Sequence, residues 1–449
     1  MAIFNVIFYF LLYLTQIFAS TSIDELIFPI YTPTKFILDW LASHPHLKIQ
    51  HDVEKVRKLT PSDQNARLTN YSQEVELNQP VEESSNNHLV VLDFIGLVEK
   101  YPGYVAEEHF VNTSDGYKLT LHRLFKKYKN KDPQQKKVIF IKHGLFLSSD
   151  AYVLQGPEKD LAFLLAEQNY DIWLGNCRGN SYSRSHEYLF DNETDFWNFS
   201  FHEVALNDLT VFIDYILETT DSHDLTYIGY SIGATESYIL LSKLPEYNQK
   251  IRLLISIAPF AFWNKPFDYD FSVNDIINKI KTLQNQTGMR ELYPQSSALQ
   301  LLSSLVPSVN LNSIDRILSS FFGEVPLIVD KTLYHDILSY VPAGTSTKTL
   351  LHLLQLIKSG NFEEYNDELT ESVAYNITKI NTPHAIFSGN NEQFLYMKNV
   401  FKLKEKFSDI TIYNVRNPDT GNIINNLDFP WQGSAKHLYR SIIDLVNGF

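Results

Sequence analysis

The sequence predicts an α/β fold in which helices flank a mostly parallel central sheet and a helical cap is inserted into the core. Three features indicate this. Short apolar runs typical of buried strands alternate with helical patterns from residue 137 onward. One of these runs, residues 225–228, leads through a glycine-rich turn directly into a helix. A long helical and apolar stretch, residues 260–379, separates the early strands from the last two.

The glycine-rich turn is Gly229-Tyr-Ser-Ile-Gly233, with Ser231 at its tip. Glycines at both ends let a strand and a helix approach without Cβ clashes, which leaves the serine exposed above a parallel sheet. The pentapeptide alone is a weak signal, and a chance match in a Gly/Ser turn is the alternative interpretation. The strand pattern before it and the helical pattern at 234–243 supply the context of the nucleophile elbow of an α/β-hydrolase.

The other elements follow from apolar periodicity and from turn and cap signals. Before the elbow, we predict a helix at 90–100, strands at 104–112, 117–125 and 137–144, a helix at 158–168 and a strand at 170–174. Ser200 and Glu203 have the spacing of a capping box that opens an amphipathic helix. After the elbow, we predict a strand at 252–259, the cap without clear strands, a strand at 384–388, a helix at 394–406, a strand at 409–415 and a helix at 434–446.

The strand at 137–144 ends in His143-Gly144, where a hydrolase of this class places one amide of its oxyanion hole. The functional groups there are expected to be the backbone N–H of Leu145 and that of Ile232, which follows the serine. His143 itself is expected to pack and form hydrogen bonds rather than react. Asp208, Asp214 and Glu236, near the elbow in the sequence, are interpreted as helix-surface charges.

The chain divides into regions of different composition. We predict a signal peptide at 1–20, an N-terminal extension or prosegment with a linker at 21–88, an α/β-hydrolase core at 89–259 and 380–449, and a helical cap at 260–379. A membrane anchor is the alternative for the apolar leader, but its length is shorter than the roughly 20 residues of a spanning helix. The cap helices suit a covered hydrophobic pocket, or they simply pack on each other.

Composition excludes several classes of partner. A net charge of -14 argues against nucleic acid, because phosphate binding needs a basic face. The single Cys177 excludes an intrachain disulfide. No motif for a metal or a cofactor appears, so we predict neither. Six Asn-x-Ser/Thr sequons fit a secreted or lumenal glycoprotein, and they begin at Asn70, Asn112, Asn192, Asn198, Asn285 and Asn376.

Several further segments, in order and spacing, resemble one family, the acid lipases of the α/β-hydrolase superfamily, which comprise gastric and lysosomal lipases and steryl-ester hydrolases. The similar segments are 113–119, 143–145, 175–183, 196–203, 229–233, 342–346, 388–389 and 427–429. The resemblance covers about residues 89–449. It implies a secreted or lysosomal hydrolase that acts on lipid esters at a lipid droplet or micelle surface.

The same resemblance implies roles for individual residues. Ser231 matches the family's nucleophile, although Tyr230 and Ile232 replace the His and Gln usual on either side of it. Glu392 falls at the position of the triad acid, and a glutamate serves there in other hydrolases of this fold. Asn426 stands at the position of the triad histidine. Because an amide cannot accept a proton from the serine hydroxyl, Ser231 is expected to lack its general base.

Another histidine is the alternative base. Only His437 follows Glu392 in chain order, and its place in the first turn of the last helix favours a surface or cap contact. His335 and His352 in the cap, and His384 at the start of a strand, are not expected to react. Two functions therefore stay open: a lipase acting on triacylglycerol or steryl esters with doubtful turnover, and a catalytically inactive pseudoenzyme that binds or carries lipid. A storage or structural role is a third hypothesis, and no feature of the sequence tests it.

Overall fold

The structure is a computed structural model that describes residues 91–127, 136–262, 273–295, 333–368, 372–389, 396–407, 409–415, 431 and 435–449. Within these residues a nine-stranded sheet forms the centre of the core, with the strand order β1-β2-β4-β3-β6-β7-β10-β11 and β5 paired to β2. The strands are β1 Tyr104–Asn112, β2 Tyr117–Lys126, β3 Val138–Lys142, β4 Asp171–Gly175, β5 Ser185–His186, β6 Leu225–Tyr230, β7 Ile251–Ile257, β10 His384–Gly389 and β11 Ile410–Val415.

The sheet is mostly parallel. β1, β2 and β4 pair antiparallel, and every pairing from β4 to β11 along the order is parallel. The central strands β3, β4 and β6 are buried along their whole length, as expected of strands covered by helices on both faces. The α/β-hydrolase fold predicted from the sequence is confirmed.

Helices cover the sheet and build the inserted segment. They are α1 Phe94–Glu99, α2 Leu161–Glu167, α3 Phe201–Glu203, α4 Leu209–Thr220, α5 Ile232–Lys243, α6 Val273–Thr287, α7 Tyr334–Tyr340, α8 Thr347–Ser359, α9 Tyr396–Lys406 and α10 Ala435–Gly448. The capping box predicted at the start of α3 is present, since Ser200 Oγ accepts from His202 N and the Glu203 carboxylate accepts from Ser200 N. A π-helical turn, Val204–Asp208, connects α3 to α4.

One expectation for the inserted segment is wrong. The stretch after β7 contains a short two-stranded sheet, β8 Glu291–Leu292 paired antiparallel with β9 Thr345–Ser346. Each strand is too short to show an alternating pattern, so its pairing depends on a contact between distant parts of the chain. Ser346 then caps α8 through a hydrogen bond from Thr349 N to its Oγ, and the same Oγ donates to the backbone oxygen of Phe199. The inserted segment is thereby joined to the core.

The parallel strands place the sites of interest at one edge of the sheet. Ser231 follows β6, the His143-Gly144 turn follows β3, and Ser388 lies at the end of β10. β10 is parallel to β7, and β7 is parallel to β6. The carboxyl ends of these strands therefore meet at the same edge, where open α/β sheets bind their ligands.

Candidate active site

Ser231 has the strained backbone of a nucleophile elbow. Its φ of 55° and ψ of -119° lie in a region that residues with a Cβ rarely adopt. Its amide donates to Ile257 O at 2.8 Å, and its carbonyl accepts from Ala234 N at 3.0 Å, so neighbouring elements maintain the turn. The residue as a whole is 5% exposed. No hydrogen bond joins its Oγ to another side chain in the described part of the protein.

The two glycines of the elbow are required by close approach. A Cβ on Gly229 would lie 2.7 Å from the Cα and N of Ala234. A Cβ on Gly233 would lie 2.6 Å from the carbonyl oxygens of Lys142 and His143. These contacts involve backbone atoms, which have no freedom to move aside. The steric explanation proposed from the sequence is confirmed at both positions.

The loop after β3 passes directly beside Ser231. A Cβ on Gly144 would lie 3.2 Å from the Cβ of Ser231, and Leu145 is the next residue. Ile232 opens α5, so its N–H has no partner within the helix and lies at the positive end of the helix dipole. Among the described residues neither amide donates a hydrogen bond. This arrangement is suited to bind a negatively charged oxygen.

His143 holds this loop and is unsuited to be a base. Its Nδ1–H donates to Gly144 O at 2.8 Å, and its Nε2 accepts from Cys177 N at 3.3 Å and also lies 3.3 Å from Asn180 Nδ2. Burial, with Lys142 next to it, lowers the pKa of His143 well below its ordinary value. Both ring nitrogens are therefore occupied on a neutral ring, in agreement with the packing role expected from the sequence.

A small cavity of about 20 Å³ lies against the two candidate oxyanion residues. Phe146, Phe199 and Phe201 provide apolar walls, while Cys177 and Glu236 provide polar ones. The remaining residues that line it are His143, Gly144, Leu145, Val204, Ile232, Gly344, Thr345 and Thr349. The cavity is bounded by the loop after β3, the start of α5, the π-helical turn and the start of α8. The inserted segment therefore completes a wall beside the elbow.

Arg178 organises the loop after β4 in a way that sequence reasoning missed. Its guanidinium is 1% exposed and pairs with Asp208 at 2.7 Å and with Asp115 at 2.6 Å. It also lies 4.0 Å from the centre of the Tyr117 ring. These contacts join the β1–β2 turn, the loop after β4 and the π-helical turn, and the first two of these segments carry the resemblance noted above. That shared resemblance was the available signal for a common interaction.

Asp208 and Glu236 do not lie on the surface, which corrects the interpretation made from the sequence. Their exposed fractions are 0% and 2%. Asp208 is paired with Arg178, and Glu236 with Lys142. Asp214 does lie at the surface, where it pairs with Lys250. The helical periodicity of a sequence does not by itself identify a buried carboxylate, because the cationic partner of that carboxylate comes from a distant segment.

Comparisons with known proteins agree with this geometry. The alpha/beta hydrolase fold family matches residues 137–285, and the partial alpha/beta-hydrolase lipase region matches residues 98–156. Gastric triacylglycerol lipase of Homo sapiens is 31% identical over 366 residues, covering 77% of this chain and 89% of that protein. Lipase 1 of Drosophila melanogaster is 31% identical over 364 residues, covering 78% of each chain.

The chain belongs to the acid-lipase family. Lysosomal acid lipase/cholesteryl ester hydrolase of Homo sapiens is also similar, with 30% identity over 373 residues that cover 78% of this chain and 89% of that protein. A solved structure from Sulfolobus solfataricus, 13% identical and covering 77% of this chain and 95% of that one, has a TM-score of 0.55 and supports the fold alone.

Neither of the triad positions that the resemblance assigns after β10 lies within the described residues. Ser388 is buried at the end of β10, but Glu392 and Asn426 lie outside the described residues, as does the sequon at Asn70. Their roles stay predictions. His437 is described and lies on the exposed side of α10. An exposed imidazole there does not form a hydrogen bond with the buried Ser231.

Two histidines that follow Ser231 are buried and neutral. His352 stacks on Phe201 and contacts Ser200 Oγ at 3.0 Å. His384 Nε2 contacts Ser256 Oγ at 2.8 Å. Burial lowers the pKa of each to about 3. Neither ring forms a hydrogen bond with Ser231, and the side chain of His335 is outside the described set.

Acid should destabilise the fold through His384. Its pKa is lowered on folding, so below about pH 6.5 the imidazole is protonated in the unfolded chain and stays neutral in the folded protein. The neutral ring therefore makes its full contribution to the free energy of unfolding above pH 6.5. That contribution declines as the pH falls towards 3, and the loss is about 2 kcal/mol at pH 5. The free energy of unfolding is measured in urea at pH 7 and at pH 5. The decrease between these two pH values should be about 2 kcal/mol smaller in His384→Gln than in the wild type. His437→Gln is the exposed control; equal differences in all three proteins would contradict the assignment.

The described residues show neither a metal site nor a membrane span. In these ranges no group of three or more His, Cys, Asp or Glu side chains is arranged to hold a metal ion. No helix among them combines the length and apolar character needed to cross a bilayer. The five described sequon asparagines are all exposed, namely Asn112, Asn192, Asn198, Asn285 and Asn376.

Proposed function

We propose that this acid-lipase family member binds neutral lipid esters, triacylglycerol or steryl ester, with the ester carbonyl between Ser231 Oγ and the amides of Leu145 and Ile232. The observation that supports this most strongly is the strained Ser231 beside two amides that donate no hydrogen bond within the described part of the chain. The names of the relatives support the ligand class, since they include a triacylglycerol lipase and a cholesteryl ester hydrolase.

In the proposed reaction, Ser231 Oγ attacks the carbonyl carbon and the developing oxyanion is held by the two amides. The hydroxyl proton must leave as the new C–O bond forms, and a histidine held by a carboxylate normally takes it. Here Asn426 occupies that position and Glu392 the carboxylate position. An amide has no basic lone pair for the proton, so turnover is expected to be slow. Binding and oxyanion stabilisation do not depend on the base.

The second candidate is a lipid-binding or carrier protein without turnover. Asn426 favours it, because an amide can donate a hydrogen bond to Glu392 and keep the loop's shape without its chemistry. In both cases the leader at 1–20 and the sequons fit secretion or delivery to a lumenal compartment, with glycans on the exposed asparagines. The ligand would be met at a lipid droplet or micelle surface.

Ester turnover and covalent labelling test these two candidates. Purified protein should show little hydrolysis of short-chain and long-chain esters above a Ser231→Ala control, and a serine-reactive phosphonate should label Ser231 slowly. Binding of a non-hydrolysable ether analogue of triacylglycerol should be unaffected by Ser231→Ala. Rapid turnover lost in Ser231→Ala would reject the inactive carrier, whereas an absence of lipid binding would reject both candidates.

A further inference from the structure

Two buried charged side chains lie beneath the candidate oxyanion site. Lys142 Nζ is 3.0 Å from Glu236 Oε2, and the side chains are 0% and 3% exposed. Lys142 ends β3 and leads directly into the turn that carries Leu145. Glu236 lies one turn of α5 after Ile232, so both occupy the same face of the helix. The ion pair therefore joins the two elements that supply the two amides.

These two elements are already in backbone contact. The carbonyl oxygens of Lys142 and His143 leave no room for a Cβ on Gly233, the second residue of α5. A shift of β3 relative to α5 would therefore change the distance between the amides of Leu145 and Ile232. Glu236 also lines the small cavity that Leu145 and Ile232 line. The volume of this cavity, about 20 Å³, is sufficient for one water molecule.

The stability of the fold does not account for this ion pair. Apart from their mutual contact, neither Lys142 Nζ nor Glu236 Oε2 has a well-aligned hydrogen bond among the described residues. Burial raises the pKa of Glu236 to about 7, although Lys142 acts to lower it. Replacing a buried ion pair by apolar residues of similar size is often neutral or stabilising. A costly pair directly under a site indicates a role in the geometry of that site.

We propose that Lys142 and Glu236 are positioning residues that set the separation of the two oxyanion amides. The inference rests on the proposed function, because it assumes that an ester carbonyl binds at those amides. The two side chains act through the backbone, because their ion pair connects the end of β3 to the first turns of α5. They do not touch the ester.

Hydrogen exchange tests the positioning role without requiring catalysis. Leu147 N donates to Gly144 O, and Ala234 N donates to Ser231 O, so peptides covering 143–147 and 231–235 report on both sides of the site. In the full chain, Lys142→Met combined with Glu236→Leu should speed exchange about tenfold or more in these two peptides and leave β1 and β2 unchanged. The control, Lys243→Met with Glu364→Leu, removes a partly exposed ion pair from the same helix and should change neither peptide.

Phosphonate labelling of Ser231 in an Asn426→His background tests the consequence for chemistry. The Lys142→Met, Glu236→Leu protein should label about tenfold more slowly at saturating phosphonate, with the half-saturating concentration unchanged. The exchanged pair, Lys142→Glu with Glu236→Lys, keeps an ion pair between the same elements and should restore the rate to within threefold. A purely structural role would leave the labelling rate of the folded protein unchanged.

The outcomes separate the two proposals. Wild-type exchange in both peptides of the folded double variant would overturn the positioning role, whatever the labelling rate. Faster exchange without any labelling of Ser231 would support positioning but reject the proposed ester site. If the double variant fails to fold, Glu236→Gln removes the charge at nearly constant volume, and wild-type exchange in that protein would equally overturn the inference.

Discussion

Replacing Asn426 with histidine should raise ester turnover about 100-fold or more, because general-base catalysis typically contributes 10²- to 10⁴-fold. In the proposed reaction, Ser231 with its strained backbone supplies the nucleophile and the adjacent amides bind the oxyanion, so the component to be added is a proton acceptor. Steady-state hydrolysis of a short-chain nitrophenyl ester measures the change. The gained activity should increase through about pH 6.5 as the new imidazole loses its proton.

Three controls identify the source of any gain. Asn425→His places an imidazole one position earlier and should not raise turnover. Adding Ser231→Ala to Asn426→His should abolish the gain, since the base acts only through the serine hydroxyl. His437→Ala should leave residual wild-type turnover unchanged, because His437 is exposed on α10. A folded Asn426→His protein no faster than the wild type would contradict the assignment of the base position, and loss of activity in His437→Ala would identify a relocated base.

Local sequence rules predicted the elbow well. The turn from β6 into α5 depends on glycines at fixed positions around one serine, and the structure shows the backbone contacts that require them. The capping box before α3 was predictable for the same reason, since both of its hydrogen bonds join residues close in sequence. The parallel sheet followed from apolar strands alternating with helices.

Long-range polar contacts were not predictable in this way. Asp208 and Glu236 have the spacing of ordinary helix charges, and only the fold brings Arg178 and Lys142 to them. The helix α5 is buried almost throughout, so it lacks the polar face that would have indicated its surroundings. The pairing of β8 with β9 depends equally on contacts between distant segments.

Arg178→Met should lower the free energy of unfolding by about 3–5 kcal/mol, because removing one partner of a buried ion pair leaves an uncompensated charge. Asp208 is 0% exposed and would lose its partner at 2.7 Å. Burial already raises the pKa of Asp208 against the lowering effect of Arg178. Urea denaturation followed by circular dichroism measures the loss.

Two matched proteins show that burial causes this effect. Arg252 pairs with Asp224 at 3.0 Å, but the side chains are 23% and 34% exposed, so Arg252→Met should cost less than about 1 kcal/mol. Arg178→Met combined with Asp208→Leu removes both charges and should recover much of the stability. Equal losses from Arg178→Met and Arg252→Met would contradict the argument. Because the Arg178 loop also carries Cys177, whose amide donates to His143 Nε2, the single variant should in addition slow phosphonate labelling of Ser231.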